Sequence, residues 1–354
     1  MLEITAVKLF LPWITAFLLG FLFTPYILKQ LVHFRCWKRT KGNEAGMGDD
    51  DGTPIFNKLH EERDVRVPRM GGLVIVASVC ATIGLFWLIS FVFSGGPSGE
   101  FDLLSRSQTW LPFTAFIAGA LIGFIDDILT IGLTRFVPGS KGLALRYRMI
   151  WATIFATGAA YWFYVKLGVD TVAVPLYGDF SLGIWFVPFF ILAFVSIFAT
   201  SNIDGLDGLS GGIMSIVFTA MGFIAFFQDQ INIAAFCFVI VGATLSFLWF
   251  NIQPAKFYMT EVGYNALSFS LAIVAFATDS ILILPFLAIA LSGTLLTTVM
   301  QILSKKIRKK KIFVVAPVHH HFEAIGWPAE QIVMRYWIVS IIAAVLGVVL
   351  AFTV

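Results

Sequence analysis

Charge is what this chain has least of. Asp, Glu, Lys and Arg together supply 13% of its 354 residues, against 58% apolar and 16% aromatic. Mean hydropathy is +0.88, and that balance excludes an ordinary soluble globule and points to a chain that threads a bilayer many times. Cysteine is nearly absent too. Cys36, Cys80 and Cys237 form no CxxC pair, which excludes a disulfide framework and a thiolate metal site. No internal repeat and no second domain is visible, so residues 1–354 read as one integral-membrane domain. The first apolar stretch is too long for a signal-peptide core and no small-residue cleavage site follows it, so it reads as a retained span.

What is abundant is apolar length. A spanning helix needs about 20 apolar residues, and ten segments qualify: 9–32, 70–94, 110–132, 146–167, 182–200, 208–227, 231–250, 262–278, 280–303 and 332–353. The weakest boundary is Thr278-Asp279. Of the 24 Lys and Arg, all but Lys8, Arg106 and Lys166 fall in or beside the alternate loops 33–69, 127–148, 201–207, 251–261 and 304–335. The positive-inside rule makes those loops cytoplasmic and puts both termini outside. The fold class expected is therefore an all-α polytopic membrane protein of about ten transmembrane helices. Segment 168–183 alternates β-branched residues around a turn signal and reads as a small external hairpin. The triplet Asp49-Asp50-Asp51 reads as solvated surface, and the cations of Lys305–Lys311 as a topology anchor at anionic headgroups.

The scarce polar groups are not scattered. Asp126 and Asp127 stand side by side where an apolar run beginning at Trp110 reaches the membrane surface. Burying either unpaired costs several kcal/mol, so a positive group must lie there: a divalent metal, a charged substrate, or Lys141 or Arg146. Mg²⁺ suits such a pair, since it takes one or two carboxylates plus substrate phosphates. Between two spans lies Asp204-Gly-Leu-Asp207-Gly-Leu, whose glycines let backbone and carboxylates approach a ligand closely, or which serves simply as a capped turn. Asn251, Lys256, Tyr258 and Glu261 offer an amide, a cation, an aromatic face and a carboxylate within eleven residues; Tyr258 fits a nucleobase stack or a membrane-interface belt. His319, His320 and His321 suit phosphate hydrogen bonding or proton relay. Three adjacent imidazoles fan out, so they do not form a single metal site. The charge alternation assigns all of these to one side. A carboxylate-held Mg²⁺ at a diphosphate, with a lipid phosphate acceptor and a nucleotide donor, uses every part.

These residues resemble the phospho-N-acetylmuramoyl-pentapeptide transferase family within the polyprenyl-phosphate hexose-1-phosphate transferases. The likeness rests on Pro68-Arg69-Met-Gly71-Gly72, Gly123-Phe-Ile-Asp126-Asp127, Asp204-Gly-Leu-Asp207-Gly-Leu, Asn251-x-x-Pro254-Ala-Lys256, and His319-His320-His321-Phe-Glu323 with Gly326-Trp327-Pro328. It implies transfer of phospho-MurNAc-pentapeptide from UDP-MurNAc-pentapeptide to undecaprenyl phosphate, with release of UMP, at the cytoplasmic face of a bacterial inner membrane. It also implies a homodimer among membrane lipid, with no nucleic-acid partner. Asp126 is then the acceptor-activating acid with Asp127 beside it, and Asp204 and Asp207 serve the nucleotide and metal region. Mg²⁺ falls to Asp127, Asp207 and Glu261. Substrate contacts fall to Pro68, Arg69, Gly71, Lys141, Arg148, Asn202, Asn251, Tyr258 and the three histidines, with His320 also catalytic.

The chain departs from the family pattern at four places. Thr260-Glu261 replaces the usual Gly-Asp, whose Asp is a metal ligand, and on sequence alone Glu261→Asp is expected to hold or raise activity. Thr130 stands where a lysine is usual. The asparagine cluster before Asp204 is shortened to Thr200-Ser201-Asn202-Ile203, and Arg66-Val67-Pro68-Arg69 lies closer to sister transferases. Two other functions use some of the same features. A relative using another UDP-sugar such as UDP-GlcNAc fits Arg69 and Glu261. An ion-coupled transporter would place acids at mid-span with paired broken helices, whereas these acids cluster at span ends.

Overall fold

The computed structural model describes residues 2–37, 67–92, 103, 109–132 and 142–353. The triplet Asp49-Asp50-Asp51, Arg66 and Lys141 lie outside them. The framework is helical: α1 (Leu2–His33), α2 (Leu73–Val92), α3 (Trp110–Ile131), α4 (Leu145–Tyr161), α5 (Phe186–Phe198), α6 (Leu209–Phe227), α7 (Ile231–Asn251), α8 (Thr260–Ala277), α9 (Leu284–Leu287), α10 (Ile289–Arg308), α11 (Val318–Ala324) and α12 (Ala329–Ala351). Long apolar runs form helices because a bilayer leaves backbone polar groups no partner but the chain itself. Hydroxyls inside the spans follow the same rule: those of Thr24, Thr82 and Thr244 each donate to the carbonyl one turn back. Gly132, at φ 70°, turns the chain out of α3 and donates its N–H to Leu129 O.

Among the described residues eight helices are long and apolar enough to cross a membrane. The segments expected at 146–167 and 280–303 are helical but irregular. The first is 17 residues of α-helix that widen into a π-helical turn over Trp162–Lys166. The second breaks at Ala288, between α9 and α10. Its longer half is diluted by Thr294, Thr298, Gln301 and Ser304 along its buried side. The boundary at Thr278-Asp279 is a true break, with Asp279 at φ 48°. The hairpin is present as well: β1 (Thr171–Val174) pairs antiparallel with β2 (Gly178–Ser181), Thr171 opposite Ser181 and Val174 opposite Gly178.

α8 is the central element. Sixteen of its 18 residues are buried, as expected of a helix apolar on every side. α3 lies along it at a distance only glycine permits. A Cβ at Gly119 would fall 2.2 Å from Asn265 O, and one at Gly123 2.2 Å from Glu261 O. Small residues at such crossings let membrane helices gain backbone-to-backbone packing where no hydrophobic drive exists. On its other side α8 meets an aromatic layer: Phe276 stacks on Phe190 at 4.0 Å, and Phe269 meets Phe194 edge-on at 4.8 Å. Aromatic contacts of this kind contribute about 0.5–1.5 kcal/mol each. The close α3–α8 crossing sets Asp126 and Asp127 against the first turn of α8.

Candidate active site

The acid pair lies in the last turns of α3, with both residues buried, Asp127 completely. Successive helical positions point about 100° apart, and the two carboxylates duly meet different partners. Asp127 Oδ2 accepts from the Thr260 hydroxyl at 2.6 Å and from the Val262 N–H at 2.9 Å, while its Oδ1 is buried with no hydrogen-bond donor among the described residues. Asp126 Oδ1 accepts from the Leu143 N–H at 2.6 Å and its Oδ2 from Arg148 Nη1 at 3.1 Å. The 142–144 turn comes that close because Gly142, at φ 82°, has no side chain; a Cβ there would sit 2.8 Å from Asp126 Oδ1.

Asp127 feels the charge of Arg69, while Asp126 finds its positive group in Arg148, at the start of α4. The same Nη1 also donates to Glu261 Oε1, so one guanidinium ties together carboxylates from α3 and α8. Arg146 instead meets Tyr147, donating to its hydroxyl at 3.2 Å and lying over its ring. Glu261 Oε2, like Asp127 Oδ1, is buried without a donor among the described residues.

Thr260 joins the next part. Its hydroxyl donates to Asp127 and accepts from the Met70 N–H at 3.1 Å, while its own N–H donates to Asp204 Oδ2 at 3.0 Å. Asp204 Oδ1 accepts from the Ser210 hydroxyl at 2.6 Å. Asp204 keeps one edge open, yet the protein around it displaces water, and this desolvation pushes its carboxyl above the ordinary range. The hydrogen bonds from Ser210 and Thr260 and the charge of Arg69 act the other way, and Asp207 raises it again. Asp207 Oδ2 accepts from the Ala255 N–H at 3.1 Å, pinning the 204–208 turn to the 252–258 loop.

The imidazoles close the ring. His319 and His320 are buried, their rings 4.3 Å apart, and they pack on Gly205 between the two aspartates of the turn. A Cβ at Gly205 would fall 2.4 Å from His320 Nε2. His320 Nδ1 pairs with Glu323 Oε2 at 3.1 Å. His321 points elsewhere; its Nδ1 accepts from the Val314 N–H at 3.3 Å, so the three rings do fan out.

Segment Pro68–Gly72 runs against 258–260 as a short ladder: Tyr258 N–H to Pro68 O at 2.9 Å, Gly71 N–H to Tyr258 O at 2.7 Å, Gly72 N–H to Met259 O at 3.1 Å. Arg69 thereby comes near enough for its charge to act on Asp204. Asn251 spends both ends of its amide on the scaffold, accepting from Gly208 N–H at 3.0 Å and donating to Phe257 O at 2.9 Å. Tyr258 is half-buried. Asn202 lies in the 3₁₀ turn Ala199–Ile203 that follows α5, and its side chain lies outside the described atoms. Every described candidate from Pro68 to His320 thus belongs to one cluster, and His321 flanks it. Thr260 and Ser210 are members the sequence reading missed. Their only sequence signal is that Thr260 stands where the family pattern has glycine.

Among the described residues no three His, Cys, Asp or Glu side chains are grouped as a complete set of metal ligands. Asp127, Asp207 and Glu261 therefore do not make a ready cage. Two buried carboxylate oxygens without donors, Asp127 Oδ1 and Glu261 Oε2, are nevertheless the donor type that Mg²⁺ takes when substrate oxygens complete its shell.

One end of the helical bundle carries a carboxylate- and imidazole-lined site, and residues 109–279 match the glycosyl transferase family 4 profile, which puts the chain among membrane-embedded transferases. That stretch runs from the start of α3 past the end of α8 and holds all five site acids, leaving the 68–72 segment and the histidines outside. Over 299 residues the chain is 32% identical to the phospho-N-acetylmuramoyl-pentapeptide-transferases of Chloroflexus aurantiacus J-10-fl and Chloroflexus aggregans, covering 81% of this chain and 77% of each relative. The chain belongs to the phospho-N-acetylmuramoyl-pentapeptide-transferase family.

Proposed function

We propose that this chain transfers phospho-MurNAc-pentapeptide from its UDP derivative to undecaprenyl phosphate, releasing UMP, in a bacterial inner membrane. The observation that carries the reading is the Thr260 junction. One residue bonds Asp127, Asp204 and the Met70 N–H, joining three motifs far apart in sequence into one reaction site.

In this reading Asp127 and Glu261 would hold Mg²⁺, with Asp207 close to the nucleotide, and the bound ion would supply charge neutralisation at the diphosphate. Arg148 keeps Asp126 and Glu261 from repelling one another and presents Asp126 to the acceptor phosphate. Asp126 holds a proton from that phosphate while its oxygen attacks. His320, oriented by Glu323, donates hydrogen bonds to the departing phosphate side of the donor, with His319 and His321 flanking it. Arg69 adds positive charge opposite Asp204, and Tyr258 offers a ring to the uracil. Lys141 and Asn202 remain expected substrate contacts. The burial of the acids excludes bulk water, which favours transfer to the lipid over hydrolysis.

The site faces the cytoplasm in this proposal, and the chain crosses the membrane ten times with both termini outside. Helix direction supports that count. Asp126, in the last turns of α3, lies beside Arg148 at the start of α4, and α4 runs from there to the hairpin, which supports a crossing despite its π turn. α10 likewise returns the chain from Asp279 to the histidines. A homodimer is expected from the family.

The test is UMP release by purified protein given UDP-MurNAc-pentapeptide, undecaprenyl phosphate and Mg²⁺. EDTA is expected to abolish it, and Asp126→Asn to reduce it at least a hundredfold with the fold intact. Preference for UDP-GlcNAc in direct competition would move the chain to the sister transferases.

A further inference from the structure

α10 turns its polar side chains inward and its apolar ones outward, as a helix against lipid does. The face it buries is Thr294, Thr298, Gln301 and Ser304 beside Ala290 and Leu291, whereas Leu296, Val299, Met300, Leu303 and Ile307 form an exposed stripe, Ile307 at 75%. Spacing of three and four puts those five on one face. The buried polar side chains hold the chain beyond the helix end: Gln301 Oε1 accepts from the Ile312 and Phe313 N–H groups at 3.0 Å, its Nε2 donates to Phe313 O at 2.9 Å, and Ser304 donates to Lys310 O at 2.9 Å. This clamp folds 310–313 back along the helix end and leaves an open groove of about 250 Å³ lined by Met300, Leu303, Ser304, Ile307, Arg308 and Ile312.

Around the groove six of the seven residues 305–311 are Lys or Arg, all exposed, and none forms an ion pair among the described residues. Concentrated unpaired cations beside an exposed apolar groove repel one another unless anions lie between them. Segment 312–314 continues to His321, so this surface lies at the same end of the molecule as the acids and imidazoles.

We infer that the end of α10 is a docking site for an anionic phospholipid of the bilayer, its phosphate among Lys305–Lys311 and an acyl chain along Met300, Leu303, Ile307 and Ile312. The site asks for charge and chain together. A soluble phosphate leaves the groove empty, and a zwitterionic lipid leaves the cations unmatched.

The experiment counts lipids and needs no turnover, so it stands apart from the proposed reaction. Full-length protein in detergent is titrated with phosphatidylglycerol and phosphatidylcholine in competition, and bound lipid is read by native mass spectrometry and by a fluorescent phosphatidylglycerol. A preference for phosphatidylglycerol of about tenfold or more is expected. It should vanish in K305Q/K306Q/K309Q/K310Q/K311Q and persist in the matching Lys→Arg variant. Ile307→Ser with Ile312→Ser should weaken retention of phosphatidylglycerol several-fold. Excess undecaprenyl phosphate should bind without releasing it. Equal retention of the two phospholipids by the unaltered protein overturns the inference, as does a preference that survives the Lys→Gln changes. One-for-one displacement by undecaprenyl phosphate overturns it as well, since the cluster would then belong to the acceptor. If the Lys→Gln variant fails to fold, the first competition and the Arg variant still decide.

Discussion

Thr260 holds φ at 56°, a left-handed backbone that a β-branched residue rarely adopts. The strain costs about 1–3 kcal/mol and is retained because the hydroxyl serves Asp127 and the Met70 N–H together. Thr260→Val keeps the shape and strands both partners. It is expected to lower stability by about 1–3 kcal/mol and UMP release at least tenfold, whereas Thr260→Ser should keep most of both; melting curves and initial rates check this. Glu261 calls for a revised expectation. On sequence alone Glu261→Asp looked neutral or favourable, but the Glu261–Arg148 contact now makes the extra methylene functional. Shortening it withdraws one anchor of the guanidinium that steadies Asp126, so kcat/KM should fall several-fold. Arg148→Ala should cost more, and the double variant no more than Arg148→Ala alone, a non-additivity that a double-mutant cycle reads directly. Asp204 supplies the pH prediction. Its carboxyl is raised by burial and held down in part by the Ser210 hydroxyl, so Ser210→Ala should raise it further. If the Thr260 N–H needs an ionised Asp204, the acid limb of the rate profile then moves to higher pH; an unmoved limb removes Asp204 from that role.

At the level of helices, eight of the ten apolar runs read in the sequence are spanning-length helices among the described residues, because in a bilayer length and hydropathy decide existence, and β-branched alternation around a turn was enough to read the hairpin. They did not show the π turn after Tyr161 or the break at Ala288, which depend on how α4 and α10 pack rather than on composition. Nor did they show that α3 and α8 cross at the glycines. Gly123 reads in sequence as the first letter of the acid motif; in the fold it is the place where the α8 backbone passes. Gly123→Ala puts a methyl 2.2 Å from a main-chain oxygen, where nothing flexible can yield. The helices must separate, carrying Asp127 away from Thr260 and Val262. A loss of more than a hundredfold in UMP release is expected, with a lower melting temperature. Gly84→Ala, in α2 with open space around it, should cost little and is the control. If Gly123→Ala melts and turns over like Gly84→Ala, the close crossing does not hold the site.

Across the whole molecule, the alternation of cationic loops was enough to put Asp126, Asp204, Glu261 and His320 at one end, because that inference needs only polarity and count. Which atoms touch was not legible: that Arg148 bridges two acids, or that Asn251 is spent on Gly208 and Phe257, depends on register and turn geometry set by distant packing. The same polarity makes a claim about both chain ends. Cys36 O accepts from the Arg69 N–H at 2.7 Å, so α1 arrives at the site from the far end. α12 leaves the site just after the histidines and finishes by the hairpin, where Thr353 O accepts from Leu176 N–H at 3.2 Å and Phe352 packs on Phe227. Tyr177, 88% exposed at the hairpin tip, and Lys310, beyond α10, therefore mark opposite ends. In a background with Cys36, Cys80 and Cys237 replaced by Ala, Tyr177→Cys should react with an impermeant maleimide in intact spheroplasts. Lys310→Cys should react only in inverted vesicles. Labelling of both from one side would break the link between charge alternation and a single catalytic face; labelling in the reverse sense would keep the site whole and turn it toward the outside, where no nucleotide donor is made.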